Sequence, residues 1–327
     1  MKIRIATRKS TLALTQTRWV AARIRESAPE LEVEEVHVVT RGDVILDKPL
    51  SQVGGKGLFI SEVEAVLTRG DADIAVHSLK DVPGDTPLAD GMGIVCVPER
   101  EDPRDVLLSL SGASLDDLPR GARVGTTSLR RMAQLRKSRP DLEFATLRGN
   151  VETRLLRLDE GRFDAIVLAA AGLKRLGLLD GRAYTVLEPE TCLPAVGQGT
   201  IAIEARLDDE RVRELLAPLE HVETRLRTEA ERAMLIALRG SCQVPIAGHA
   251  RIADGNKLWL EGMVASIDGE QVLTATSESF LKSRDVDGRR AEAAALGEDV
   301  AKNLIAKGAR ELMREAEATV ARQLQSN

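Results

Sequence analysis

Aromatic residues are almost absent: two Trp, one Tyr and four Phe in a chain of 327. A single-strand nucleic-acid binder stacks bases on aromatic side chains interleaved with basic ones, and that pattern is missing. The net charge of −5 argues against nucleic acid as well. Cysteine is scarce, and Cys96, Cys192 and Cys242 are odd in number and far apart, so no disulfide framework is expected. The four histidines (His37, His77, His221, His249) have no metal-ligand spacing and there is no CxxC, so no protein-bound metal is expected. No apolar run approaches a membrane span. Residues 1–6 enter a strand without a targeting segment, which makes the expected location cytoplasmic.

What remains is a globular composition, 43% apolar and 30% charged, long enough for two or three domains. Residues 2–7 alternate as a strand, and Ser10 caps a helix to about residue 26 with Leu12, Trp19, Val20 and Ile24 on one face. A strand over 32–40, a helix over 58–68 and a strand over 73–78 follow. A polar crossing near 97–103, with Pro98 and Pro103, leads to a second series. Its strands are 123–126, 143–147 and 164–169, and its helices 128–137, 151–159 and 171–176. Residues 69–76 and 160–167 echo one another in pattern and place. Alternating strands and helices indicate two mostly parallel α/β lobes with a cleft between them. A second crossing, Leu193-Pro-Ala-Val-Gly-Gln-Gly199, precedes a strand over 200–205 that returns to the first lobe, and two crossings make a hinge. The expected division is 1–98 with 199–218, then 103–193, then a smaller α+β domain over 221–327. That last unit opens on a helix over 222–238 with Leu226, Ala230, Ala233, Met234 and Ala237 inward, and closes on one C-terminal helix to about 324.

Gly240-Ser241-Cys242-Gln243-Val244-Pro245-Ile246 follows the 222–238 helix. Gly240 reads as its stop, and Pro245 forces extended geometry on Val244, so Cys242 is presented on a loop. The plain alternative is a small apolar residue at a domain joint. Cys96, within an apolar strand, and Cys192, beside a proline turn, read as structural.

Charge is uneven: residues 120–157 hold ten Lys/Arg against three Asp/Glu. Without aromatics, such an arginine excess suits carboxylates or phosphates met by guanidinium forks. Two strand-to-helix junctions, Thr7-Arg8-Lys9-Ser10 and Thr126-Thr127-Ser128-Leu129-Arg130-Arg131, set hydroxyls and arginines at a helix N-terminus, which together form an anion site. Arg148, Asn150 and Arg154 follow the next strand end, and Arg175 the one after. Lys80-Asp81 ends the matching strand of the first lobe. It reads either as a structural ion pair or as a lone carboxylate facing a cationic cleft. Gly54-Gly-Lys-Gly57 lacks the flanking residues of a phosphate loop. Gly197-x-Gly199-x-x-Ala202 precedes a strand instead of following one, so neither signals a nucleotide.

Taken in order, Arg4-Ile-Ala-Thr-Arg8-Lys-Ser10, Val39-Thr-Arg-Gly-Asp43, Val53-Gly-Gly-Lys56-Gly-Leu-Phe59, His77-Ser-Leu-Lys80-Asp81-Val-Pro83, Gly125-Thr-Thr-Ser-Leu-Arg130-Arg131, Leu147-Arg148-Gly-Asn150-Val-Glu-Thr-Arg154, Leu193-Pro-Ala-Val-Gly-Gln198-Gly199 and Cys242-Gln-Val-Pro-Ile246 resemble the porphobilinogen deaminase (hydroxymethylbilane synthase) family across nearly the whole chain. The resemblance implies two periplasmic-binding-protein-like α/β lobes, a third domain, and a dipyrromethane cofactor on a thioether to Cys242. It implies that Lys80, Asp81, Thr126, Ser128, Arg130, Arg131 and Arg154 contact the cofactor. Arg8, Ser10, Gln16, Arg148, Asn150, Arg154, Arg175 and Gln198 would hold porphobilinogen and the polypyrrole chain, with Asp81 catalytic and Lys56 and Phe59 on a lid. The implied activity is condensation of four porphobilinogen molecules with loss of ammonia and release of hydroxymethylbilane, in haem biosynthesis, by a monomer. Ser241 stands where the family pattern has a second Gly, a costly exchange if that position needs positive φ. Gln52 stands where many relatives carry a lid Lys. Two other readings use the same residues: a bilobal carrier of small dicarboxylates, and a thiol acyl transferase whose nearest partner in sequence is His249.

Overall fold

The computed structural model describes residues 2–40, 60–241, 244–253 and 256–325. Its strands are β1 (Lys2–Arg8), β2 (Glu32–Val38), β3 (Ile74–Ser78), β4 (Met92–Cys96) and β5 (Asp105–Ser109). Next come β6 (Arg123–Gly125), β7 (Glu143–Ala145), β8 (Ala165–Ala169) and β9 (Tyr184–Leu187). The series ends with β10 (Ile201–Arg206), β11 (Ile246–Ala253), β12 (Lys257–Ala265) and β13 (Val272–Phe280). Among the described residues they form three sheets, ordered β2-β1-β3-β10-β4, β7-β6-β8-β5-β9 and β11-β12-β13. The molecule is thus α/β in two lobes, with a smaller α+β region behind them.

The two five-stranded sheets share one plan. Four strands run the same way, and the fifth, β10 in one and β5 in the other, is antiparallel to both neighbours. In each case the reversed strand is the one that has just crossed from the other lobe. It enters at the end where its neighbours finish, so it must run against them. The register makes the equivalence explicit: Ile201 opens β10 opposite Ser78, and Asp105 opens β5 opposite Ala169.

The echo between 69–76 and 160–167 has a physical basis. Gly70 and Gly161 take φ of +75° and +70° just past the helices Ser61–Thr68 and Val151–Asp159, the left-handed turn that closes a helix end. Three residues on, Asp73 accepts the backbone N–H of Arg4 at 2.8 Å, and Asp164 that of Arg123 at 2.6 Å. Both carboxylates fix the start of the strand beside them. Apolar side chains cover both faces of each sheet, including Ile3, Ile5, Ile74 and Ile203 on one face of the first, and Val106, Ile166 and Leu168 on one face of the second.

Both crossings are tied to the third region. Glu231, fully buried in the helix Val222–Leu238, accepts from Arg100 of the first crossing at 2.6 and 3.2 Å and from the Gly197 N–H of the second at 2.8 Å. Gly199 (φ +86°) brings the crossings together, because a Cβ there would run into the carbonyl of Glu101. The third sheet is antiparallel throughout and packs on the helices Val222–Leu238 and Val286–Ala306.

Two local expectations need correction. The C-terminal helix is two helices, Val286–Ala306 and Ala309–Gln325, separated at Gly308, whose φ of +100° cannot continue a helix. The left-handed residue that ends Val222–Leu238 is Arg239 (φ 55°, ψ 42°), not Gly240. Gly240 is needed for space, since a Cβ there would lie 2.5 Å from Ile246 Cδ1 and 2.6 Å from Leu235 Cδ1. Ser241 is not among the described residues with positive φ, so it carries none of the backbone strain that position raised.

Candidate active site

One large cleft, about 2140 Å³, opens between the lobes and is floored by the third region. Ordinary small-molecule pockets are roughly 300–1,000 Å³, so the cleft is sized for something extended. Its described walls carry eleven Lys/Arg and four Asp/Glu, in a chain whose overall charge is −5.

The helix N-termini supply the first layer. Ser10 and Ser128 cap the helices Thr11–Ser27 and Leu129–Ser138, each accepting a backbone N–H at 3.4 Å. Asn150 caps Val151–Asp159 at 2.8 Å. Extended backbone at each cap turns the first N–H groups of the helix toward the cleft. Arg8, Gln16, Arg148, Arg154, Arg175 and Gln198 also line it. Several are held by the backbone: Arg154 donates to Gly149 O and Arg175 to Gly199 O, both at 2.8 Å. Gln16 is braced by Ser78 at 3.0 Å.

Arg130 and Arg131 are placed differently from the other arginines. Both are buried, and both donate to Asp105, at 2.8 and 2.7 Å. Asp105 also accepts from Gln198 at 2.9 Å, and the Cys192 thiol lies 3.4 Å away. Burial alone would raise the Asp105 carboxyl, but the two guanidiniums outweigh it and hold it well below the usual carboxylate range. The Cys192 thiol is pushed up to about 12 by burial and by Asp105, so it is inert. Asp105 escapes notice in the sequence because its partners lie 25 and more residues away. A charged residue opening the apolar run Asp-Val-Leu-Leu was the one available signal.

Lys80 and Asp81 form a 3₁₀ turn after β3, and no ion pair joins them among the described residues. Lys80 Nζ reaches Gln198 Oε1 at 3.5 Å. Its side chain is wetted by the cleft but enclosed by protein, and that enclosure lowers the ammonium to about 8, with Asp81 opposing and Arg131 adding to the shift. Asp81 is exposed in the cleft and makes no hydrogen bond or ion pair with the described residues. Burial, with Arg131 and Arg148 pushing the same way, lowers Arg154 to about 10. Around it Arg131, Arg148 and Arg157 act against its charge, and Asp81 favours it.

Thr126 does not line the cleft. Its hydroxyl faces inward and accepts the Ser128 N–H at 3.2 Å, and the lining residue is Thr127. Cys242, Lys56 and Phe59 lie outside the described residues, as does Gln52. The flanks of Cys242, Ser241 and Val244, both line the cleft. His249 is no partner for a thiol. It is buried on β11, 3.8 Å from Glu231, and burial lowers it to about 4. The sequence reading also missed Arg157, Arg232, Ile236 and Arg239, which line the cleft.

Residues 3–214 match the family model described as "Porphobilinogen deaminase, dipyromethane cofactor binding domain", and residues 225–306 match "Porphobilinogen deaminase, C-terminal domain". Solved structures with similar coordinates include the Bordetella pertussis BvgS periplasmic VFT2 domain, 15% identical over 66% of this chain and 85% of that one, with a TM-score of 0.37. The Bacillus subtilis probable amino-acid ABC transporter extracellular-binding protein ytmK is 9% identical over 67% and 90%, at 0.40. The Vibrio vulnificus OxyR2 regulatory domain is 16% identical over 67% and 95%, at 0.38.

Proposed function

The chain belongs to the porphobilinogen deaminase family, and on that premise we propose that it is a hydroxymethylbilane synthase. It condenses four porphobilinogen molecules head to tail, releases one ammonia per addition, and frees hydroxymethylbilane by hydrolysis in tetrapyrrole biosynthesis. The observation that carries the reading is Asp81, an exposed carboxylate that makes no hydrogen bond or ion pair with the described residues, in a cleft of excess positive charge.

A dipyrromethane group fits the residues present. Each of its rings bears carboxylates, and the cleft offers cations for them: Arg154 is depressed by burial and then by neighbouring arginines, and Arg131 Nε is buried with no hydrogen-bond partner. Lys80, Ser128, Arg130, Arg131 and Arg154 would hold it, anchored at Cys242, whose described neighbours Ser241 and Val244 line the cleft. When bound it supplies a nucleophilic pyrrole carbon already tethered inside the site, which makes coupling effectively intramolecular.

The rest falls to the protein. Arg8, Arg148 and Arg175 bind the substrate carboxylates, and Ser10 and Gln16 orient the ring. As the carbon–nitrogen bond of the substrate aminomethyl group breaks and ammonia leaves, positive charge develops on the pyrrole. Asp81 stabilises that charge, and its carboxylate is the base available for the proton lost once the new carbon–carbon bond has formed. Asp105 keeps Arg130 and Arg131 fixed, so their donors need no reorganisation when the carboxylates arrive. The protein acts in the cytoplasm as a monomer.

Intact-mass measurement of the purified chain tests the reading. A dipyrrole adduct is expected on the native protein, with unmodified mass for Cys242→Ala. A bare thiol on the native protein after incubation with porphobilinogen would overturn it.

A further inference from the structure

The helix Val222–Leu238 enters the cleft with a face that the proposed mechanism leaves unused. Arg232, Ile236 and Arg239 are spaced four and three residues apart, and all three line the cleft. Arg232 and Ile236 share one face of the helix, and Arg239, the residue that closes it, extends the row into the same cleft. Arg232 lies against the turn after Asp81, donating to Val82 O at 3.1 Å and Pro83 O at 3.4 Å. Gly84 packs on the same helix so closely that a Cβ would lie 2.6 Å from Leu235 Cγ. The strip therefore begins beside Asp81 and runs toward the loop that carries Cys242.

Two side chains of the strip make no use of their place in the fold. Ile236 is 51% exposed in a cleft otherwise rich in charge. The left-handed backbone of Arg239 closes the helix, but its exposed guanidinium makes no hydrogen bond or ion pair with the described residues. A guanidinium with no carboxylate partner among the described residues, beside exposed apolar surface, is what an amphipathic polyanion would need.

We propose that Arg232, Ile236 and Arg239 form a binding strip for the later rings of the growing oligopyrrole, with guanidiniums on ring carboxylates and Ile236 against pyrrole faces. The inference rests on the function proposed above. Every ring added brings two more carboxylates, while Arg130 and Arg131 already share Asp105. The cations nearest Asp81 are therefore outnumbered as the chain lengthens. The strip offers further positive charge within the same cleft.

The test tracks additions to the cofactor-loaded protein by intact mass, mixing it with limiting porphobilinogen. Arg239→Asn suits a left-handed backbone but removes the charge, and Arg239→Lys keeps the charge. For Arg239→Asn, the rate of the third and fourth additions relative to the first is expected to fall about tenfold, the loss of one charge-assisted contact, so that early adducts accumulate. Arg239→Lys should retain most of the native ratio, and Ile236→Glu, which sets a negative charge in the strip, should stall late additions further. A capping role alone predicts the opposite order for Asn and Lys. Native adduct distributions in Arg239→Asn and Ile236→Glu would overturn the strip while leaving the proposed function intact. Absence of any dipyrrole adduct on the unaltered protein would instead overturn the function.

Discussion

The two lobes are built on one plan, and their third strands end in almost the same backbone. Ser78 has φ −74° and ψ 124°, and Ala169 has φ −76° and ψ 127°. Beyond those residues the chain diverges. In the first lobe a single 3₁₀ turn puts Lys80 and Asp81 into the cleft before Pro83 ends it, and in the second an ordinary helix, Ala170–Arg175, begins. The reversed strands differ in the opposite sense. Position 201, opposite Ser78, is a buried isoleucine, and position 105, opposite Ala169, is a buried aspartate under two arginines. Each lobe thus places one carboxylate near the hinge end, by a different route and to a different end. Asp105 is surrounded by guanidiniums and stays an inert anion. Asp81 makes no hydrogen bond or ion pair with the described residues, which in the proposed reaction leaves its carboxylate open to a cation that forms transiently. On the proposed function, the shared plan serves a lobe that holds charge and a lobe that reacts.

Exchanging a single oxygen in each lobe is the sharpest way to break that division. Asp81→Asn should lower kcat by about 10²–10⁴, the usual range for loss of a general acid–base group. Folding should be unaffected, because the Asp81 carboxylate makes no hydrogen bond or ion pair with the described residues. Steady-state kinetics beside a thermal melt would show both. Should Asp81→Asn turn over normally while Asp105→Asn stays folded and loses the chemical step, the roles of the two lobes are reversed.

The next effect is on stability and belongs to the second lobe. Asp105→Ala leaves two buried guanidiniums without their shared counter-charge, which should destabilise the protein by about 3–5 kcal/mol in urea unfolding. At the equivalent place in the first lobe, Ile201→Val removes one buried methyl and should cost about 0.5–1.5 kcal/mol. Equal losses would mean that the Asp105 cluster is no more structural than the apolar contact it replaces.

Much of this plan is legible in the sequence because it is local. Ser10 and Ser128 read as hydroxyls at helix starts from the residues next to them, and both cap helices that line the cleft. The echo of 69–76 in 160–167 is legible because the same left-handed glycine and the same strand-fixing aspartate recur at the same spacing. What could not be read depends on distant partners. Asp105 meets Arg130 across 25 residues, and Glu231 meets Arg100 across 131. Neither aspartate nor glutamate carries a local mark of its partner. Thr126 and Thr127 differ only in which side of an extended chain they occupy, and a shift of one residue exchanges inside for outside. The inward stripe of Leu226, Ala230 and Met234 is real, but it drew attention from the opposite face of the helix, where Arg232, Ile236 and Arg239 look out on the cleft. Gly308 carried the break between the last two helices in plain view, since glycine past a helical turn is an ordinary stop.

The smallest expected effect separates the cations of the two lobes by pH. In the ligand-free cleft Lys80 is lowered to about 8, whereas Arg154 is lowered only to about 10 and so stays charged to higher pH. A bound carboxylate favours the ammonium and returns Lys80 toward its ordinary 10.5. Between those values the free protein holds a neutral lysine and the complex a charged one, so binding takes up a proton. Affinity should therefore be level below pH 8 and weaken by up to about tenfold per unit above it. Because Lys80 would face the cofactor, titration calorimetry of the cofactor-free Cys242→Ala protein with a dipyrromethane carboxylate, in buffers of different ionisation enthalpy at pH 8.5–9, would read the proton directly. Lys80→Arg keeps a permanent charge in the first lobe, so its affinity profile should be flat and its proton uptake absent. The same slope in the cofactor-free protein with Lys80 and with Lys80→Arg would place the titrating group elsewhere, and the first lobe would then bind its anions as passively as the second.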